Sequence, residues 1–228
     1  FDFQPFFAEL HTFCAVDLSA FYFDIRKDSL YCDRADSLER RAVRTVLDIL
    51  FDHLTAWLAP VLCFTAEEAW LARHPDRGAG NSVHLRTYPD VPATWADDVL
   101  NTKWSKVRSL RRVITGALEV ARANKEIGAS LQAHPVVYAD ADLRDAVADM
   151  DMATLCITSG ITFADGDAPA DAYRLEDVAG VAVVVEKAPG DKCERCWKVL
   201  DEVGADSEHE TLCHRCVDAV RHRDAAAA

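Results

Sequence analysis

Apolar residues recur at helical spacing through the first two-thirds of the chain. In "DSLERRAVRTVLDILFDHLTAWLAP" they form one stripe of an amphipathic helix, made of Leu38, Ala42, Val46, Leu50, Leu54 and Trp57. Asp36 with Glu39 three residues later predicts a capping box at the start, and Pro60 predicts the end. A second helix should follow at once, with Thr65 as its N-cap and Glu68 at its third position. Because the links are short, we expect antiparallel neighbours in a bundle.

A third long helix is predicted from about Asp97 to Lys125. A connection rich in Gly, Pro and Asn precedes it and should lie on the surface. The buried stripe of this helix should comprise Leu100, Trp104, Val107, Ile114, Leu118 and Ala121. The same period gathers four cations beside the stripe, namely Arg108, Arg111, Arg112 and Arg122. They fit either an RNA-facing surface or an ordinary solvated helix face, and the pattern alone leaves both open.

Beyond about residue 133 the pattern changes to β-branched apolar runs. "HPVVYAD", "LCITSGITFAD" and "VAGVAVVVEKA" indicate strands, with a short helix near Asp142 to Asp149. The expected fold class is therefore mainly α, with an antiparallel helical bundle, a small α+β module and a short cysteine-rich end. We place the helical domain at 1–130, the α+β module at 131–188, the cysteine-rich module at 189–222 and a disordered tail at 223–228.

Acidic residues outnumber basic ones, and the formal net charge is −13. Such a charge argues against indiscriminate binding to nucleic acid or to an anionic membrane. The stretch from Asn101 to Gly128 nevertheless holds seven basic and two acidic residues, so a local charge of +5 stands out from an acidic remainder. No apolar run approaches the ~20 residues that span a bilayer, and we expect no membrane partner. The opening "FDFQPFFAEL" is typical of the interior of a structure, so we expect a piece of a longer chain.

Eight cysteines are present, and four of them are scattered singly: Cys14, Cys32, Cys63 and Cys156. We interpret these four as small buried hydrophobic residues, and their pattern fits a reducing, cytoplasmic compartment rather than a disulfide scaffold. The sequence contains no phosphate-binding glycine loop, nucleophile elbow or metalloprotease helix. We therefore assign no catalytic residue and expect a binding unit.

The other four cysteines form two pairs near the end, in "CERCWKVLDEVGADSEHETLCHRC". Two C-x2-C turns separated by sixteen residues can each present two thiolates, and together they complete a tetrahedron around structural zinc. Iron in the same cage, a pair of disulfides and a redox dithiol are the alternatives. A closed four-sulphur site leaves no position for water or substrate, so this metal should not be catalytic.

Two side chains flank the second cysteine of the first turn, Arg195 before Cys196 and Trp197 after it. A guanidinium and an indole at these positions could meet a phosphate and stack on an unpaired base. The alternative is that Trp197 simply covers a small metal core, and local chemistry does not decide between the two.

Four stretches resemble one known family, in the order in which that family has them. They are "VDLSAFYFDIRKDSLYCD" (Val16 to Asp33), "FTAEEAW" (Phe64 to Trp70), "NKEIGASLQA" (Asn124 to Ala133) and "CERCW…LCHRC". They span nearly the whole chain and are similar to the C-terminal part of bacterial isoleucyl-tRNA synthetases. One departure is Gln132, where the family often has Glu.

The resemblance implies a class I synthetase whose parent enzyme joins isoleucine to its tRNA with ATP. The family's nucleotide-binding fold and editing domain lie N-terminal to this region, so ATP would bind only in the absent catalytic domain. The region itself would hold the helical anticodon-binding domain, the α+β module and the zinc-binding end. Its expected partners are the anticodon stem-loop of the isoleucine tRNA and the remainder of the same synthetase chain, and we expect a monomer.

The resemblance also implies site residues. The ligands of one structural Zn²⁺ would be Cys193, Cys196, Cys213 and Cys216. Arg195, Trp197 and Lys125 match positions for which the family suggests contact with tRNA, and the basic helix adds Arg108, Arg111, Arg112 and Arg122 as candidates. The rival hypothesis is a zinc-containing protein-interaction module that docks the synthetase body or another partner.

Overall fold

The computed structural model describes residues 2–75 and 80–227. Phe1, 76–79 and Ala228 lie outside it, so the predicted surface connection before the third long helix is described except at 76–79. The chain divides into a larger unit, Phe1–Arg34 with Asp98–Ala228, and a smaller unit, Ala35–Asp97. Among the described residues, no helix is both long enough and apolar enough to cross a membrane.

The larger unit begins with a continuous helical segment. Helix α1 spans Phe3–Thr12, a π-helical stretch follows over Phe13–Phe23, and α2 spans Asp24–Cys32. The side chain of Asp2 caps α1, because its carboxylate accepts a hydrogen bond from the backbone N–H of Gln4. The backbone becomes extended immediately after Cys32, so α2 ends there.

The described residues of the smaller unit include two helices and two short 3₁₀ turns. Helix α3 spans Leu38–Leu58 and α4 spans Cys63–Arg73, and the turns lie at Val83–Leu85 and Ala93–Trp95. Helix α5 (Asp98–Ala123) then returns the chain to the larger unit.

The predicted helix starts in the smaller unit are wrong by one residue for α3 and by three residues for α4. Ser37, not Asp36, is the N-cap of α3, and its hydroxyl accepts a hydrogen bond from the N–H of Arg40 at 3.2 Å. Helix α4 begins at Cys63 with Leu62 as its N-cap, so Thr65 lies inside the helix and no side chain caps its start. Ser and Asp are both good N-caps, whereas leucine at the start of α4 carries no capping group that the sequence could reveal.

Trp70 is the centre of the core of the smaller unit. It is buried and stacks against Phe51 with the two rings 9° from parallel, and the guanidinium of Arg86 lies 4.1 Å from its ring centroid. The indole Nε1 donates a hydrogen bond to Asn81 at 2.9 Å. The predicted stripe of α3 is wrong over its first half, because Leu38 is 81% exposed, Val46 is 39% exposed and Ala42 is exposed as well. Helix α4 has 11 residues against the 21 of α3, so it covers only part of that helix.

The α+β part of the larger unit follows a 3₁₀ turn at Ser130–Gln132. Its elements are β1 (Val136–Ala139), α6 (Ala141–Val147), α7 (Met152–Cys156), β2 (Thr162–Phe163), β3 (Tyr173–Leu175) and β4 (Val178–Val184). The strand order is β2-β1-β4-β3, with β1 parallel to β2 and antiparallel to β4. Val137 pairs with Val183 in the middle of the sheet, and both side chains are buried.

Helix α5 is the central helix of the larger unit and contacts β3, β4, α6 and α7. Its buried residues are Val107, Leu110, Val113, Ile114, Ala117, Leu118 and Ala121. Four of the six predicted stripe positions are among them, whereas Leu100 is 49% exposed and Trp104 is half-buried. Because several neighbours cover α5, its buried face is wider than the stripe that a single packing face requires.

The last elements are a two-stranded ribbon and a helix. β5 (Asp191–Lys192) pairs antiparallel with β6 (Val199–Leu200), and α8 spans His214–Ala227. Where the sequence predicts a disordered tail at 223–228, the structure continues α8 to Ala227, in keeping with the high helix propensity of alanine. A helix-rich chain with a small sheet and a cysteine cluster is confirmed, whereas the antiparallel bundle and the four domain boundaries stay predictions.

The burial along α5 yields a stability prediction. Leu110 is fully buried, so Leu110→Ala should lower the free energy of unfolding by about 2–5 kcal/mol through lost contacts and a cavity. Leu100→Ala is the matched control on the same helix, and the 49% exposure of that side chain should make its cost less than half as large. Denaturant unfolding followed by circular dichroism measures both, and equal losses would contradict the assigned core.

Candidate metal centre and nucleic-acid interface

The β5–β6 ribbon positions the first pair of cysteines. The N–H of Cys193 donates to the carbonyl of Lys198 at 2.9 Å, and the N–H of Trp197 donates to the carbonyl of Cys193 at 2.8 Å. Trp197 adopts φ 66°, a left-handed conformation that is costly for a bulky residue. At the base of the ribbon Gly190 has φ 93°, and a Cβ there would meet the backbone of Leu200 at 2.3 Å. Glycine is therefore required at position 190.

The second pair of cysteines lies at the start of α8. The N–H of Cys213 donates to the sulphur of Cys193 at 3.3 Å, and the N–H of Glu194 donates to the carbonyl of Thr211 at 3.0 Å. These two bonds hold the second C-x2-C turn against the first. All four sulphurs consequently lie within 4.8 Å of one another, and all four residues are buried.

The sulphur geometry fits one structural Zn²⁺. Four thiolates at about 2.3 Å from a tetrahedral centre lie about 3.8 Å from one another, and the sulphurs of Cys196 and Cys213 are 3.7 Å apart. All four cysteines are free thiols, not disulfides. The ion is then closed off by four protein ligands, so it would hold the two turns together and offer no position to a substrate.

The electrostatics of the four sulphurs call for a cation. The pKa of Cys196 is lowered because the thiols of Cys213 and Cys216 donate hydrogen bonds to its sulphur. Correspondingly, the pKa values of Cys213 and Cys216 are raised, because their protons are held in those bonds. Several adjacent thiolates without a metal would repel one another in a buried site. A divalent ion removes that repulsion, since zinc binds the deprotonated sulphur.

Arg215 anchors the metal centre to the N-terminal helical segment. Its guanidinium donates to both carboxylate oxygens of Asp28 at 2.5 and 2.9 Å and to Asp33 at 3.2 Å. Burial lowers the pKa of Arg215, but the hydrogen bonds and charge of Asp28 outweigh it and raise the pKa overall. Arg34 adds a longer pair to Asp218 at 3.3 Å. This interface could not be predicted from the sequence, because no spacing rule connects residues so far apart along the chain.

Arg195 points in the same direction, toward α2. It donates to the carbonyls of Cys32 at 2.5 Å and Tyr31 at 3.0 Å, and its Nη1 lies 3.5 Å from the sulphur of Cys216. These carbonyls belong to the last turn of α2, where a cation is favoured by the helix dipole. Of the two side chains that flank Cys196, the structure therefore turns Arg195 inward and leaves Trp197 60% exposed.

A cavity of about 400 Å³ opens beside Trp197. It lies between α2, α7 and the first cysteine turn, and its walls are mostly apolar; they include Ile25, Tyr31, Cys32, Leu131, Ile157 and Trp197, with the cations Lys27, Arg195 and Lys198. The ring of Tyr31 is 76% exposed, and Lys192 lies 5.2 Å from the ring centroid of Trp197. Two exposed aromatic rings, several cations and the carboxylates of Asp24 and Asp28 thus surround one apolar cavity.

The structure divides the predicted basic helix between two environments. Arg108 pairs with Asp17 at 2.8 Å and lies 4.3 Å from the ring centroid of Phe21, so it ties α5 to the π-helical stretch. Arg111 donates to the carbonyl of Leu155 at 2.7 Å and is half-buried. Two of the basic side chains of α5 therefore form contacts within the larger unit.

Three of the four predicted arginines line one open groove of about 750 Å³, together with Lys27. Besides Arg111 these are Arg112, which pairs with Asp177 at 2.6 Å, and Arg122, which pairs with Glu119 at 3.0 Å. The side chains of both of these ion pairs are between 43% and 66% exposed. Arg108 does not line this groove.

Lys125 lies just beyond the C-terminus of α5 and outside the lining of both the groove and the cavity. It is exposed and has φ 62°, the left-handed conformation that commonly ends a helix. Gln132, the one departure noted from the family pattern, accepts a hydrogen bond from the N–H of Gly128 at 2.6 Å. An amide oxygen at position 132 thus closes the turn after Lys125.

The scattered cysteines are only partly as predicted. Cys156 is buried, and desolvation raises its pKa to about 12, so it is an inert core thiol. Cys63 is exposed at the start of α4, and the prediction that it is buried is wrong. Cys14 is half-buried. Cys32 is buried against the four-sulphur cluster, a position that its isolation in the sequence does not reveal.

Two family profiles match the chain. Residues 1–137 match the family described as "Anticodon-binding domain of tRNA ligase". Residues 190–219 match the family described as "Zinc finger found in FPG and IleRS". The second match contains all four clustered cysteines, so it agrees with the geometry of one structural zinc site.

Curated relatives match over almost the whole chain. The chain is 50% identical to isoleucine–tRNA ligase of Agrobacterium fabrum over 97% of its length, 53% identical to that of Ruegeria pomeroyi over 95%, and 54% identical to that of Mesorhizobium japonicum over 90%. It covers 23%, 22% and 21% of those proteins, respectively. The chain thus spans less than a quarter of their length, and it corresponds to their C-terminal part.

The metal centre yields a prediction about Cys213→Ser. Because one thiolate is lost and zinc binding supplies about 10–16 kcal/mol in small metal-dependent modules, this variant should lose its zinc and the ordered structure of 189–222. Elemental analysis measures the metal, and amide hydrogen exchange locates the loss of structure. Exchange should also rise at the end of α2, which Arg195 and Arg215 contact.

Cys63→Ser is the matched control for that experiment, because Cys63 is exposed and lies in the smaller unit. It should keep one zinc per chain. A single cooperative loss of all structure in Cys213→Ser would contradict a metal module whose folding is separable from the core around α5.

Proposed function

The chain belongs to the family of anticodon-binding domains of tRNA ligases, and from that premise we propose that it is the tRNA-recognition end of an isoleucine–tRNA ligase. In this proposal the chain binds the anticodon stem-loop of the isoleucine tRNA in the cytoplasm. Activation of isoleucine with ATP would take place in the remainder of the same synthetase chain. We propose a monomer whose helices form the antiparallel bundle of a class I anticodon-binding domain.

The observation that carries this proposal is the adjacency of a basic groove and an apolar cavity with exposed aromatic rings. Asp24, Lys27 and Ile157 line both, so the two form one continuous surface. An anticodon stem-loop presents the same combination, a phosphate backbone beside unpaired bases. A protein-docking surface would not need cations from Arg112 and Arg122 at one end and stacking rings at the other.

The groove is suited to exchanging its carboxylate partners for phosphates. Exposed ion pairs such as Arg112–Asp177 and Arg122–Glu119 contribute only about 0–1 kcal/mol, so a phosphate can replace the carboxylate at little cost. Arginine also binds phosphate with two parallel hydrogen bonds. We propose Arg112 and Arg122 as the main phosphate contacts, with Arg111 beside them in the groove and Lys125 and Arg108 further along the stem.

Trp197 is suited to stacking on a base. Its indole is exposed while its backbone is fixed between two cysteines that zinc would hold, so little conformational entropy would be lost on binding. Stacking of a base on such a ring contributes about 1–3 kcal/mol. Arg195 would hold the turn of Trp197 against the end of α2. The zinc ligands would be Cys193, Cys196, Cys213 and Cys216. In this proposal the metal serves recognition, not catalysis.

The proposal predicts discrimination between anticodons. At one fixed salt concentration, the zinc-loaded chain should bind isoleucine tRNA more tightly than the same tRNA with its anticodon exchanged. Trp197→Ala should weaken binding to the native anticodon by about 1–3 kcal/mol and should reduce the preference. A filter-binding or fluorescence titration measures both. Equal affinity for the two tRNAs would mean that the surface contacts only the phosphate backbone of the tRNA and does not distinguish anticodons.

A second prediction concerns the groove. Arg112→Glu and Arg122→Glu should each weaken tRNA binding at moderate salt and lower the slope of log affinity against log salt by about 1 or more. Arg73→Glu is the matched control, because that arginine also forms an exposed ion pair, with Asp48 at 2.8 Å, but lies in the smaller unit. Unchanged binding in both groove variants would remove the groove from the interface.

A further inference from the structure

One residue between the basic groove and the apolar cavity has a backbone conformation that its side chain disfavours. Ile157, which follows α7, has φ 58° and ψ 47°, the left-handed region in which a β-branched residue is an outlier. It lies in a Schellman turn, since its N–H donates to the carbonyl of Thr154 at 3.2 Å and the N–H of Thr158 donates to that of Ala153 at 2.9 Å. Glycine is the usual residue at this place in the motif, because it adopts the conformation without strain.

Two hydrogen bonds fix the turn that contains Ile157. On one side, the carbonyl of Leu155 accepts a hydrogen bond from Arg111 of α5 at 2.7 Å. On the other side, the hydroxyl of Ser159 accepts one from the N–H of Val199 in β6 at 2.7 Å. Both neighbours of Ile157 in the chain are also buried. The turn is thus held between the basic helix and the β5–β6 ribbon, and such surroundings can maintain a strained backbone.

The side chain of Ile157 does not offset this strain by packing in the core. It is half-buried, and it is not among the described residues that pack against the buried cluster around α5, whereas Ile161 is. Ile157 instead lines both the groove and the cavity. The other two described residues that line both are Asp24 and Lys27 of α2, which pair with each other at 2.6 Å. Ile157 therefore supplies the apolar side chain at the junction of the two.

We propose that Ile157 is a positioning residue for bound tRNA, an inference that rests on the proposed function. Its side chain forms an apolar edge where the phosphate backbone stays in the groove and one unpaired base turns into the cavity beside Trp197. An apolar side chain can pack against the base and offers no hydrogen bond to a phosphate, so it keeps the backbone on the side of the arginines. Backbone strain at a binding surface is expected where the placement of a side chain serves binding at the expense of stability.

Substitutions at position 157 separate the strain from the side chain. Ile157→Ala and Ile157→Gly both remove the apolar edge, but only glycine also relieves the left-handed strain. The glycine variant should therefore unfold at a temperature about 2–4 °C above that of the alanine variant, as measured by circular dichroism. Both variants should bind isoleucine tRNA about 10-fold more weakly than the unaltered chain does, and both should lose part of the preference for the native anticodon. A glycine variant that unfolds no higher than the alanine variant, or that keeps its tRNA affinity, would overturn the proposal.

Two further variants distinguish positioning of the RNA from a purely structural role. Ile157→Leu keeps an apolar side chain of the same volume and should restore most of the tRNA affinity and of the preference. Ile161→Ala is the matched control, because Ile161 packs against the core and lines neither the groove nor the cavity. It should lower the unfolding temperature without changing the preference. An equal loss of preference in Ile161→Ala would assign the effect to destabilisation and would overturn the proposal.

Trp197→Ala, measured in the same titration, separates failure of this inference from failure of the proposed function. If Trp197→Ala reduces the preference for the native anticodon whereas Ile157→Gly does not, the proposed function stands and the role of Ile157 is wrong. If the unaltered chain binds both tRNAs equally, the proposed function is contradicted, and the role of Ile157 with it.

Discussion

Four cysteine sulphurs buried within 4.8 Å of one another impose the constraint on which the C-terminal end of this chain depends. Such a cluster is stable with several thiolates only around a cation, because desolvation and mutual repulsion both oppose ionisation. The surrounding ribbon is two residues per strand and buries little beyond the sulphurs themselves. The metal is therefore the core of this module, and Trp197 owes its fixed position to that metal.

The metal module is not a free appendage of the larger unit. Arg195 reaches back to the carbonyls that end α2, and Arg215 binds carboxylates on both sides of that end. The bidentate Arg215–Asp28 pair is half-buried, so breaking it would leave a partly desolvated charge unpaired. The end of α2 therefore packs against the metal module and is held to it by these contacts, although most of the chain separates α2 from the cysteine pairs in sequence.

Sequence patterns predicted features formed by neighbouring residues well, and features formed by residues far apart in the chain poorly. The third long helix, the strand-rich segment and the two C-x2-C turns each depend on residues close together in the chain, and each is present in the structure. The predicted strand "LCITSGITFAD" is wrong at its start, because Leu155 and Cys156 lie in α7 and only Thr162–Phe163 form a strand. The position of Cys32 could not be predicted in this way. A single cysteine at the end of a helix has no signature until the fold packs it against the four clustered cysteines. The predicted N-cap of α3 was wrong for another reason: Asp36 and Ser37 are both good N-cap residues, and the capping-box spacing from Asp36 to Glu39 favoured the wrong one.

The charge of α5 shows most clearly why composition needs the structure. A local charge of +5 suggests an open basic face. In the structure, however, Arg108 forms an ion pair with Asp17, and Arg112 and Arg122 each pair with a carboxylate. The exposed pairs reduce the attraction of the surface for any polyanion at a distance. A phosphate held in the right place can still replace those carboxylates, since exposed pairs are weak. Ion pairing within an acidic chain would thus disfavour loose binding to nucleic acid more than binding of a fitted RNA, and the proposed interface would gain its selectivity from that difference.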